Sequence, residues 1–169
     1  MDPFFTWLEA SGLSIWLRES PSIWAFPFIL ILHTVGLAFV AGSNITIAAR
    51  VLGLVPDIPL PSLRRYVLVM WTGFWVNAVS GAALLLAYPT KALTNPLFYV
   101  KLLLVAAAMV LARAMWRGLD DPGSDGGQSP AAVRLRRIAG VGLACWIAAI
   151  PAGRLLAYTC SRLMVDATC

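Results

Sequence analysis

The stretch FILILHTVGLAFV, residues 28–40, is apolar almost throughout and carries the only histidine of the chain, His33. A run of this kind is too long for an ordinary buried strand, and it does not alternate with period two. It belongs to a longer segment, Ile23 to Gly42, that reaches the roughly 20 apolar residues needed to cross a bilayer as a helix. The question it raises is why an imidazole stands in oil.

Three further segments have the same character: Tyr66 to Tyr88, Leu97 to Trp116 and Ile138 to Tyr158. The whole chain fits them. Of its 169 residues, 60% are hydrophobic and 12% charged, about half the charge of an ordinary soluble domain. Mean hydropathy is +0.79. In lipid each backbone polar group must be satisfied within its own segment, and no segment has the alternation of a barrel strand, so the spans are helices. The expected fold is all-α: one integral membrane four-helix bundle over residues 1–169. Ahead of it, Phe4, Phe5, Trp7, Leu8, Leu13, Ile15, Trp16 and Leu17 predict a short interfacial helix over about 4–17. The N-terminus lacks a basic region and a clean apolar core, so it does not read as a secretory signal.

Charge sets the expected orientation. Arg50, Arg64, Arg65, Arg113, Arg117, Arg134, Arg136 and Arg137 flank the first and third connections, against Arg18, Lys91, Lys101 and Arg162 on the other face. The positive-inside rule then places both termini outside a bacterial cytoplasmic membrane. The net charge of +5 is accounted for by this bias and by anionic lipid, with no need of nucleic acid. Cys145, Cys160 and Cys169 have no metal-binding spacing; Cys160 and Cys169 are candidates to pair in an oxidising compartment. Nucleophile triads, phosphate loops and paired carboxylates are absent from the sequence, so hydrolase and kinase chemistry have no support.

Polar residues inside spans mark functional sites by default. Counted from Ile23 at about 1.5 Å per residue, His33 lies roughly 15 Å deep, near mid-membrane. Asn77 falls at the same level, with Ser80 slightly outward, while Lys101 and Arg154 fall in the outer third. Gly73, Asn77, Ser80 and Gly81 form a small polar stripe on the second span, and Gly140, Ala144 and Ala148 a small stripe on the fourth. Gly36, one turn from His33, leaves room for a partner helix or a flat ring. Two readings of His33 stand: a hydrogen bond to Asn77 or Ser80, or ligation of haem or copper through the neutral imidazole. Lys101 either snorkels to headgroups or binds a ligand. Arg154 suits a carboxylate, a quinone head group, a lipid phosphate or Glu19. The tryptophans are expected in interfacial belts, with Trp75 in the core and Pro151 kinking the fourth span.

Three runs, RESPSIWAFPFILILHTVGLAFVAGSNITIAARVLGL, WTGFWVNAVSGAALLL and TNPLFYVKLLLVAAAMVLAR, resemble a family of small bacterial four-helix membrane proteins. That family is distantly similar to the CopD-like copper-resistance membrane domain and to HemJ-type protoporphyrinogen oxidase. The resemblance covers residues 18 to 117 in pieces. It implies a bundle that binds haem b or a metal, with His33 as the metal ligand and Lys101 as a second position that matters. Where relatives often carry a further histidine, at the end of the third span, this chain has Trp116.

Three functions follow as expectations. In the first, the chain is an electron-transfer subunit binding haem b through His33, Gly36, Asn77, Lys101 and Arg154, and linking the quinone pool to an external partner. In the second, it is a non-catalytic subunit of a larger membrane assembly, self-associated or joined to other subunits. In the third, it handles copper.

Overall fold

A computed structural model describes residues 7–119 and 129–158. Helix α1 spans Gly12–Glu19, α2 Phe26–Val51, α3 Leu60–Ala87, α4 Pro89–Leu93, α5 Pro96–Leu119 and α6 Pro130–Tyr158. There is no strand among the described residues. Four helices (α2, α3, α5 and α6) are long and apolar enough to cross a membrane, so the chain is a multi-pass all-α bundle. Cys160, Arg162 and Cys169 lie outside the described residues.

Local chemistry sets where each helix starts and stops. Asn95 and Ser129 each precede a proline. Their side chains accept from Leu97 N at 3.0 Å and from Ala132 N at 3.1 Å, so an N-cap followed by proline opens both α5 and α6. At the far end of α2, Gly53 takes φ +79°, a conformation open to glycine at little cost. Gly53 N then donates to Arg50 O at 3.1 Å and Leu54 N to Ala49 O at 2.9 Å, the paired bonds of a Schellman stop. Arg50 Nε donates to Ile58 O at 2.8 Å and ties the following loop to the helix.

The helices outrun the apolar segments at the end of the bundle that holds the α2–α3 loop. There α2 continues from Gly42 to Val51, α3 begins at Leu60 rather than Tyr66, and α6 begins at Pro130 rather than Ile138. Arg64, Arg65, Arg134, Arg136 and Arg137 are exposed on these added turns. Hydropathy finds the oil-facing length of a helix and misses turns that carry charge. The expected interfacial helix is interrupted: residues 7–9 are helical, and α1 runs past Leu17 to Glu19. A break at Ala10 and Ser11 precedes α1, whose Ser11 side chain accepts from Ser14 N at 3.3 Å; residues 4–6 lie outside the described residues. Leu13, Ile15 and Trp16 of α1 are exposed while Ser14 and Leu17 are buried. Helix α6 runs on as helix through Pro151.

The bundle is two antiparallel hairpins, α2 with α3 and α5 with α6, joined mainly through α2 and α6. Glycines make the first hairpin tight. A Cβ on Gly36 would lie 2.7 Å from Asn77 N, and one on Gly73 would lie 2.6 Å from Phe39 Cβ and 2.8 Å from Val40 N. Backbones that close need small residues on both sides. Below this contact, Val40, Ala41, Met70, Ala108, Ala112 and Trp146 form one core cluster drawing on all four spans.

Two expectations about faces are overturned. Trp75 is 62% exposed and faces outward, while Trp146 is 1% exposed and fills the core. On α6 the interior stripe is Ala132, Leu135, Ala139, Trp146 and Ala149; Ala144 and Ala148 are exposed, and nothing lies within 4 Å of a Cβ at Gly140. The volume of Trp146 has to be accommodated inside, and it turns the small stripe outward.

Candidate functional site

His33 sits seven residues into α2, so roughly 10 Å along the helix, nearer one end of the bundle than its centre. The imidazole is half-buried against α3. Its Nδ1 lies 3.0 Å from Asn77 O and 3.2 Å from Ser80 Oγ. The Ser80 hydroxyl donates to Val76 O at 2.6 Å, so its oxygen faces His33 as an acceptor. Asn77 Nδ2 donates to His33 O at 2.8 Å and lies 3.3 Å from Nδ1. With a backbone carbonyl and a committed hydroxyl as neighbours, Nδ1 carries the proton and donates. The lone pair is therefore on Nε2.

Nε2 faces Lys101 Nζ at 3.5 Å. Lys101 enters from α5, five residues past the start of that helix, and its stem passes over α6. A Cβ at Gly153 would lie 3.4 Å from Lys101 Cε and 3.5 Å from Nζ. Gly81 of α3 lies under the imidazole, where a Cβ would be 3.0 Å from His33 Cε1. Each span thus contributes: α2 the imidazole, α3 its anchors, α5 the amine, and α6 a bare surface for the amine's stem.

Of the residues singled out in the sequence, His33, Asn77, Ser80 and Lys101 come together. Lys101 reaches the level of His33 rather than standing above it. Gly36 is pressed against the backbone of α3, so the room beside it is taken by a partner helix. Arg154 is exposed and stands outside the His33 network, and Glu19 pairs with Arg18 at 3.3 Å. Gly153 was not legible as a site residue. Its one signal is its place on the α6 interior face, one turn past Ala149.

The donor chemistry of His33 is that of a single neutral imidazole with one ring nitrogen engaged. A ligating histidine usually donates its other ring N–H to a carbonyl or carboxylate, which fixes tautomer and ring orientation. His33 has that bond already made. Lys101 Nζ, the far end of a flexible side chain, stands before Nε2. Among the described residues, no group of three or more His, Cys, Asp or Glu side chains is gathered that would hold a metal ion.

No family model, curated protein or solved structure matches this chain.

Proposed function

We propose that the chain is an integral membrane redox subunit of the bacterial cytoplasmic membrane in which His33 Nε2 would hold a haem b. The observation that carries this reading is the bond from His33 Nδ1 to Asn77 O. It fixes the ring and leaves Nε2 as the donor atom. Bound there, haem b supplies one-electron transfer, and the low-dielectric bundle and the imidazole ligand set its potential. Asn77 and Ser80 keep the imidazole from turning. Lys101, if swung from Nε2 on its flexible stem, would supply a cation for an anionic group of the cofactor. Arg154, exposed toward the same end of the bundle, suits an anionic head group or the partner with which electrons are exchanged. The quinone pool is the lipid-soluble partner on this reading, and the charge bias supports an outer-side site. The test is haem content by pyridine haemochromogen on detergent-purified chain. Wild type is expected to carry haem and His33→Ala to lose it.

A second reading is favoured by the 3.5 Å separation of Lys101 Nζ and His33 Nε2. An amine N–H directed at an imidazole lone pair is an arrangement across which one proton can pass, and such chains in membranes serve proton transfer. Haem-free wild type whose proteoliposomes conduct protons, with conduction lost in Lys101→Met, would favour it over the haem reading.

A further inference from the structure

Trp146 is 1% exposed, and its indole Nε1 has no hydrogen-bond partner. A buried N–H without an acceptor is rare in native proteins and points to a water, ion or ligand that completes it. Trp146 lines a small cavity between α2, α5 and α6 together with Asn44, Ala48, Ala108, Ala112 and Met115. Asn44 is 4% exposed, and its Nδ2 donates to Val40 O at 2.8 Å in its own helix. That uses one of the two amide N–H groups and leaves the carboxamide oxygen to accept a hydrogen bond. The cavity has room for about one water molecule. Asn44 is eleven residues beyond His33, roughly 16 Å along α2, so this is a separate place in the bundle.

We propose that this cavity binds a single hydroxyl oxygen, which accepts from Trp146 Nε1 and donates to the Asn44 carboxamide oxygen. A carbonyl would serve Trp146 and leave the Asn44 oxygen unmet; an ammonium would serve that oxygen and leave Trp146 unmet. A group that both donates and accepts completes the pair. Water has that chemistry, and so does the head of a long-chain alcohol entering from the bilayer. The apolar remainder of the wall (Ala48, Ala108, Ala112, Met115) holds the oxygen in place by excluding others and offers it no competing partner.

The test is NMR on the full chain in nanodiscs with nitrogen-labelled indole, Trp146→Phe supplying the assignment. The expected result is a Trp146 indole proton at a hydrogen-bonded position with a cross-peak to water, lost in Asn44→Leu. Addition of 1-dodecanol separates the sources. An unchanged water cross-peak assigns the site to water, and its replacement by a cross-peak to dodecanol assigns it to a lipid-borne hydroxyl. An indole proton at the free N–H position in the wild type, with contact to neither, overturns the proposal. So does a water cross-peak of equal intensity in Asn44→Leu.

Discussion

Lys101 Nζ lies 3.5 Å from His33 Nε2, joining two helical hairpins at a point where the imidazole's other nitrogen is already bound to the backbone of α3. The amine crosses Gly153 to get there. Removing the amine tests what it does for the site. On the haem reading, Lys101→Met retains haem but lowers its midpoint potential, because a positive charge nearby stabilises the reduced form. The expected fall is on the order of tens of millivolts, read by redox titration, with Lys101→Arg restoring most of it.

The anchors of His33 are expected to differ in weight. Ser80→Ala removes one acceptor and leaves the bond from Nδ1 to Asn77 O, which belongs to the backbone. Its cost should be near the typical ~0.6 kcal/mol of a membrane interhelical hydrogen bond. Asn77→Leu removes the donor to His33 O and puts a branched side chain beside the imidazole, and should cost more, up to about 1.7 kcal/mol. Reversible unfolding of the reconstituted chain in denaturing detergent measures both.

Gly36 and Gly73 should be intolerant of even one methyl. A Cβ at either would approach α3 or α2 backbone atoms below 3.0 Å, and backbone cannot step aside as a side-chain tip can. Gly36→Ala and Gly73→Ala are each expected to cost about 1–3 kcal/mol. Gly42→Ala and Gly140→Ala, with nothing within 4 Å of the added atom, should fall within about 0.5 kcal/mol of wild type. Equal effects at all four positions, in the same unfolding assay, would remove the close backbone contact as the reason for glycine.

Orientation is open to labelling. Glu19 and Asp57 are exposed at opposite ends of the bundle. In intact cells a membrane-impermeant maleimide is expected to label Glu19→Cys and to reach Asp57→Cys only after lysis, in a background with the native cysteines replaced. The reverse pattern would place the arginine-rich end outside, against the positive-inside rule.

Much of the architecture could be read from residue order because membrane helices announce themselves by length and apolarity. The polar stripe Asn77, Ser80 on α3 was legible for the same reason: polar atoms in oil must meet partners, and His33 is the partner they meet. What apolarity cannot do is say which face of an oily helix turns inward. Trp75 and Trp146 look alike in sequence, yet one faces outward and the other fills the core, since shape rather than hydropathy sorts them. Gly153 was hidden because its part is to be absent from the path of Lys101. Glu9, whose side chain accepts from Thr90 N at 3.3 Å, lies 81 residues from its partner, and no local pattern connects them.

The central claim is that His33 Nε2 is the donor atom of a haem b, and the reduced-minus-oxidised absorption spectrum of the detergent-purified chain tests it most directly. The account predicts a Soret band that sharpens and shifts on reduction with dithionite, present in wild type and in Ser80→Ala, and missing from a folded His33→Ala. A wild-type spectrum with no Soret band after expression with ample haem supply, or a band that His33→Ala leaves unchanged, would contradict it.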